Sequence, residues 1–305
     1  MEIVLLGTSA ALPTQSRWPT STAVIRGGEI LLFDCGEGTQ IQFQKAQLRP
    51  GKLSRIFISH FHGDHLHGLI GLLTSLQLAG RDQPLSIYGP KGIRRYLAFM
   101  EDLSHFKFAY ELEINEVSES SSAATIWNLG EYTIKALPLQ HNVFVLGFRL
   151  EEKSRPGKFD TETAHRMGIP GGPLRRDLQL GRSVTLPSGT VVKPDQILGP
   201  PRRGQSLAIC LDTRPCASSV ELASGADVLI HEGTFDASKS DLALTTGHST
   251  VAEAAEIAKQ ADVTKLLLTH ISARYGEEDT PRLLAEAQAI FSNTTLGQDL
   301  LRISI

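Results

Sequence analysis

The chain has 305 residues, 41% of them apolar and 21% charged, and a formal net charge of −3. So much apolar material fills a large core near the upper end of single-domain size, and the slightly acidic balance excludes a protein that is basic all over, so nucleic-acid contact would need a local patch. No window approaches 18 uninterrupted apolar residues, the opening MEIVLLGTSAALP has no basic n-region, and Cys35, Cys210 and Cys216 are too scattered for a disulfide framework, so a soluble cytoplasmic protein with no membrane partner is expected.

Strand and helix patterns alternate along the chain. EIVLLGT, TAVIRGG and EILLFDCG read as strands, the last two joined by a Gly-Gly turn, and GTQIQFQKAQL as a short amphipathic helix. The strand RIFISH, the buried helix LIGLLTSLQLAG, the strand LSIYG and the helix GIRRYLAFMEDL follow. After a polar interval around SESSSA come strands at TIKALPL and FVLGFRL, and from about Lys153 to Gly204 the rhythm is lost. It resumes with SLAICLDT, ADVLIHEGT, a helix TVAEAAEIAKQA whose Thr250 and Glu253 have the spacing of a capping box, KLLLTH, and the helix TPRLLAEAQAIF. This βαβα pattern predicts two sheet layers. The motifs ISH, LDT and LTH then collect at the carboxyl ends of strands, where open α/β sheets gather their sites.

His60, His62, Asp64 and His65 in HFHGDH directly follow an apolar strand, where a loop can turn imidazoles and a carboxylate toward one point. That composition is a metal site: imidazole suits borderline divalent ions such as zinc, and a carboxylate can hold a second ion. Gly63 has the backbone freedom that lets its neighbours face inward. His67 lies beyond the loop and reads as structural or exposed. PLQHNV, CLDTRP and LLLTHISARY place His141, Asp212 and His270 at further strand ends.

The HxHxDH pattern resembles the metallo-β-lactamase superfamily. The resemblance implies an α/β fold, a four-layer αββα sandwich, with a site for one or two metal ions that activates water. It assigns His60, His62 and His141 to one ion, Asp64, His65 and His270 to the other, and Asp212 as the bridging carboxylate. Two ions a few ångström apart lower the pKa of a water and neutralise phosphoryl oxygens, which suits phosphodiester hydrolysis. Two zinc ions per subunit are expected, although these ligands also accept manganese or other divalent ions.

Segments along nearly the whole chain are similar, in order, to the ribonuclease Z family, endonucleases that remove 3′ trailers from precursor transfer RNA. They are LLGTSAALPTQSR, LFDCGEGTQ, FISHFHGDHLHGLIGLL, GIPGGPLRRDLQLG, HEGTF, GHST and LTHISARY. The resemblance implies that substrate, one catalytic domain over residues 1–305, a homodimer, and a tRNA 3′-hydroxyl with a 5′-phosphate on the trailer as products. One departure stands in PTQSRW, where Gln15 and Trp18 replace the Lys and Asn of the family's P-x-K-x-R-N loop; Arg17 is kept and is expected to contact RNA.

Residues 153–204 hold ten basic and four acidic side chains, a formal balance of +6 that leaves about −9 for the rest of the chain. Such a patch suits a phosphate backbone. GIPGGPL within it resembles the family's exosite arm, which implies a protruding, flexible basic arm that grips folded RNA by shape, with Lys158, Arg175 and Arg176 as contacts.

The family makes Asp64 the general base. His248 in GHST precedes a helix and is expected to bind the scissile phosphate or donate a proton to the departing 3′ oxygen, with Glu232 in HEGTF orienting it and raising its pKa. His231 reads as support, and Arg274 in HISARY as a phosphate contact or a structural partner. Cys35 has no adjacent base and reads as a buried small hydrophobe, and Asp34 as a hydrogen-bond partner of a metal-binding imidazole. Two other readings stay open: a small-molecule phosphodiesterase on the same scaffold, which would not need the arm, and a non-catalytic RNA-binding relative.

Overall fold

A strand covered on both faces needs apolar residues on both, and the chain supplies them. In Glu29–Phe33, Ile30 and Leu32 face one side, Leu31 and Phe33 the other, and all four are buried. The structure, a computed structural model, describes residues 1–119 and 123–305, so the three central serines of the SESSSA interval lie outside it.

Among the described residues two seven-stranded sheets form. The first runs in the order Arg302–Ser304, Glu2–Gly7, Ser21–Arg26, Glu29–Phe33, Leu53–Phe57, Leu85–Pro90, Leu112–Val117, with parallel pairing from Glu29–Phe33 onward. The second runs Thr294–Leu296, Lys265–Thr269, Val228–Glu232, Ser206–Cys210, Leu146–Glu152, Tyr132–Pro138, Ala124–Leu129. Phe33 and Phe57 of the first sheet meet Phe148 of the second at ring distances of 5.6 and 5.8 Å, which pins the inner faces together.

The outer faces are covered by helices. Val4, Leu6, Ile30, Leu32 and Ile56 pack with Phe43, Leu69, Leu73 and Leu97 of the helices Thr39–Lys45, Gly68–Leu78 and Ile93–Ser104. On the second sheet Ala208, Leu229, Leu266 and Leu268 pack with Leu222, Val251, Ala254, Ala258 and Leu283 of Ala217–Ala223, Val251–Gln260 and Thr280–Gln288. The layers are those of a metallo-β-lactamase-type αββα sandwich. No helix among the described residues is long and apolar enough to cross a membrane.

Register sets where the chemistry collects. Parallel pairing places Cys210 opposite His231 and Glu232 opposite Thr269, so Asp212, Glu232 and His270 reach the same edge of the second sheet. In the first sheet Phe33 pairs with Phe57, which brings Asp34 level with the start of the histidine loop.

The stretch without sequence rhythm is not irregular. Glu151–Gln205 together with Leu129–Tyr132 make a compact unit of their own. It holds the short helices Thr161–Arg166 and Pro173–Gln179 and a ribbon of Val184–Thr185 with Val191–Val192, around buried Ala164, Ile169, Leu178, Val192 and Ile197. Asp160 caps the first helix by accepting from the Glu162 and Thr163 N–H groups, and Pro173 opens the second. Elements of six or seven residues are too short to show a period.

Candidate metal centre

Four strand ends turn sharply at the same edge. Asp34, Asp212 and His270 have φ of 56, 45 and 56°, and Ala11 in the first loop has 59°, a left-handed conformation uncommon for residues with a Cβ. Each turn swings a side chain or an N–H off its strand toward one centre. At Gly63 the exposed His67 ring lies over the backbone, and a Cβ there would meet His67 Cε1 at 2.5 Å, so the ring would have to swing aside.

The structure gathers His60, His62, His141 and Asp212 into one group and Asp64, His65 and His270 into another, with ligand atoms within 4.8 Å of one another in each. Asp212 stands between them. Its Oδ2 lies 3.5 Å from His60 Nε2 and 3.9 Å from His141 Nε2, while Oδ1 lies 3.0 Å from His65 Nε2 and 3.1 Å from His270 Nε2. His60 Nε2, His141 Nε2 and Asp212 Oδ1 are buried and make no hydrogen bond. Polar atoms are rarely left so in a folded interior, and an imidazole-carboxylate set with converging lone pairs fits divalent cations.

The opposite ring nitrogens are held from behind. Asp34 Oδ2 lies 2.7 Å from His65 Nδ1 and accepts from Ser59 Oγ at 2.8 Å, and Ser59 Oγ lies 2.9 Å from His60 Nδ1. One carboxylate thus orients a ligand in each group. His141 Nδ1 lies 2.8 Å from the Gly247 carbonyl, and His270 Nδ1 lies 3.1 Å from Thr234 Oγ1. Such partners fix the rings with Nε2 facing the ion.

Charge at the centre is tightly coupled. Burial pushes the His60 imidazole down to about 2. Burial also disfavours charge on His65, but Asp212 and Asp34 outweigh it and raise His65 well above the usual range. For Asp64 burial opposes ionisation, and His270 and His65 more than compensate, holding the carboxyl below its usual range. Asp64 Oδ2 also accepts the Ala11 N–H at 2.7 Å.

Beside the ligands, His248 Nδ1 lies 2.9 Å from Glu232 Oε1. Glu232 is fully buried and also accepts from Thr213 N, Thr234 Oγ1 and Ser249 N at 2.6, 2.6 and 2.9 Å. Burial works against a charged His248, but the Glu232 carboxylate, with Asp212 and Asp64, pushes it up to about 9. The His248 ring centre is 5.0 Å from that of His141 and 5.4 Å from that of His270. His231 is buried behind, its Nδ1 2.7 Å from the Glu232 carbonyl.

The basic residues divide. The resemblance made Arg17 an RNA contact, but the structure turns it inward: it is 9% exposed, and Nη1 donates to Thr8 Oγ1 at 2.6 Å and to the Gly297 carbonyl at 2.7 Å. Arg274 is exposed, with Nε bonded to Ser272 Oγ at 3.0 Å and the guanidinium over Phe235. In the smaller unit Lys158 and Arg176 are exposed, whereas Arg175 folds back to donate to the Ile169 carbonyl. Cys35 is fully buried, and burial pushes its thiol up to about 12. Ser59, Thr234 and Arg214, which carry hydrogen bonds around the centre, went unmarked in the sequence, because a hydroxyl or guanidinium that supports a ligand looks like any other.

A family model described as Anti-Pycsar protein Apyc1 matches residues 1–136. Over its whole length the chain is similar to ribonuclease BN of Citrobacter koseri, 45% identical over 305 residues that cover 98% of each chain. It is also similar to ribonuclease Z of Picosynechococcus sp., 43% identical over 310 residues that cover 100% of this chain and 96% of the relative. Human tRNase Z, short form, superposes with a TM-score of 0.75 at 29% identity, covering 100% of this chain and 99% of that one. With identity at this level along the full length, the chain belongs to the ribonuclease Z family, on the metallo-β-lactamase fold.

Proposed function

We propose that the protein is a metal-dependent endoribonuclease that removes the 3′ trailer from precursor tRNA, leaving a 3′-hydroxyl on the tRNA and a 5′-phosphate on the trailer. The observation that carries this reading is Asp212, whose two oxygens each face a different imidazole set beside His248, itself 2.9 Å from the Glu232 carboxylate. In this proposal His60, His62 and His141 hold one zinc ion, Asp64, His65 and His270 the other, and Asp212 lies between. When bound, the ions supply an activated water and positive charge against the phosphoryl oxygens.

The chain's own residues do the rest. Asp64, kept ionised by its neighbours, takes the proton of the attacking water as the new P–O bond forms. The bond from phosphorus to the 3′ oxygen breaks, and His248 gives that oxygen its proton, so that no alkoxide has to leave. Glu232, on Nδ1, keeps the ring oriented with Nε2 free to donate.

In the same proposal the unit Glu151–Gln205 is the exosite arm, with the exposed Lys158 and Arg176 on the RNA backbone and Arg274 near the scissile phosphate. In this proposal the protein also works in the cytoplasm and forms a homodimer, the latter supported by the exposed Leu78, Phe99 and Leu103 on the helices Gly68–Leu78 and Ile93–Ser104.

The test is cleavage of a 5′-labelled, trailer-bearing precursor tRNA by metal-loaded protein, mapped to the nucleotide, beside Asp64→Ala. A cut at the end of the acceptor stem, lost in the variant, is expected. No cut, with rapid turnover of a small phosphodiester, would replace the RNA reading with a small-molecule one.

A further inference from the structure

Arg214 follows the bridging carboxylate by two residues and takes no part in the steps above. Its guanidinium grips Glu253 as a fork, Nη1 to Oε2 at 2.9 Å and Nη2 to Oε1 at 2.5 Å, and Nη1 also donates to the His248 carbonyl at 2.6 Å. The two side chains are only 17% and 29% exposed, so solvent screens the pair little.

The far side of the same peptide is tied as well. Ser249 N donates to Glu232 Oε2 at 2.9 Å and Ser249 Oγ to the Thr213 carbonyl at 2.5 Å. Before His248 stands Gly247, with φ of 77°, where a Cβ would meet His141 Nδ1 at 2.8 Å. Glycine is therefore required by close approach, yet it leaves the loop free to rotate. Rigidity has to come from the bonds on the peptide after it.

Glu253 serves twice. It is the third residue of the helix Val251–Gln260, and its Oε2 accepts the Thr250 N–H at 2.8 Å to close the capping box. A glutamine would satisfy the box equally well, but it would not carry the charge that holds a guanidinium fork.

We infer that Arg214, locked by Glu253, is a positioning residue for His248: it fixes the His248 carbonyl and so holds the imidazole between Glu232 and the departing 3′ oxygen. This rests on His248 being the proton donor of the proposed reaction. Displacing such a donor slows only those substrates whose leaving group needs a proton.

The experiment compares full-length, metal-loaded R214M, E253Q, H248A and the R214M/H248A double variant on precursor tRNA and on bis(p-nitrophenyl) phosphate, whose nitrophenolate leaves unprotonated. For R214M, kcat on the precursor falls about 10- to 100-fold at unchanged KM, while the nitrophenyl ester stays within about threefold. E253Q shows the same pattern more weakly, and R214M adds nothing in the H248A background. Equal losses on both substrates, no loss on RNA, or an additive loss in the double variant would overturn the inference. Metal content and thermal unfolding are measured for each, and if R214M does not fold, E253Q decides. If H248A itself loses both substrates equally, the proton-donor reading falls, and the double variant alone then decides whether Arg214 acts through His248.

Discussion

His65 Nε2 and His270 Nε2 lie 3.2 Å apart, and the other nitrogen of each ring is already engaged, by Asp34 at 2.7 Å and by Thr234 at 3.1 Å. Two neutral rings so tied would aim lone pairs at each other. A proton or a cation between them removes the conflict, and Asp212 and Asp34 favour a proton on His65 against the effect of burial.

Binding a cation there must expel that proton. Calorimetry at pH 7 in buffers of different ionisation enthalpy should report release of about one proton as the Asp64 set fills. Heats independent of the buffer would show that the ring was neutral already.

Because Asp212 serves both groups, Asp212→Ala should strip zinc from both, whereas His141→Ala should keep about one ion per chain in the Asp64 set. Metal analysis after dialysis distinguishes them. At free zinc about 1,000-fold above Kd the wild type gains about 4 kcal/mol from each ion, so a chelator should lower its Tm sharply and that of Asp212→Ala hardly at all.

In the proposed reaction His248 should set a high-pH limb. Its pKa is raised to about 9, so the donor is charged below that value and activity falls as pH rises through it; bound cations draw the limb lower. The same shift contributes stability to the metal-free protein that is complete below the ordinary histidine range and lost as pH rises through about 9. Glu232→Gln should bring both transitions down, read from pH-rate profiles and from Tm against pH.

Arg17 and Arg176 should separate cleanly. Arg176→Ala weakens RNA binding and reduces the salt slope of log K by about 1, as expected for a lost phosphate contact. Arg17→Met leaves the slope unchanged and costs about 1–3 kcal/mol of stability, because Thr8 and the Gly297 carbonyl lose a buried donor. A changed slope in Arg17→Met would return that residue to the RNA-binding surface.

Sequence made the layers legible because strands buried on both faces, such as EILLF and KLLLT, leave a continuous apolar signal, and Thr250 and Glu253 announced a helix start that the structure contains. The histidine loop stood out because imidazoles are scarce elsewhere in the chain. What could not be read was direction. Arg17 looks like any loop arginine until the Gly297 carbonyl, 280 residues away, is seen to face it. Ser59 and Thr234 matter only through the rings they touch.

The Asp64 group draws its third member from 205 residues beyond His65. During synthesis, then, a nascent chain carries the whole histidine loop long before it can close that pocket. Only after the strand Lys265–Thr269 has emerged and paired with Val228–Glu232 does His270 arrive. Any chain that lacks the strand Lys265–Thr269 and the turn after it therefore holds an unfinished centre, with two of the three members of the Asp64 group.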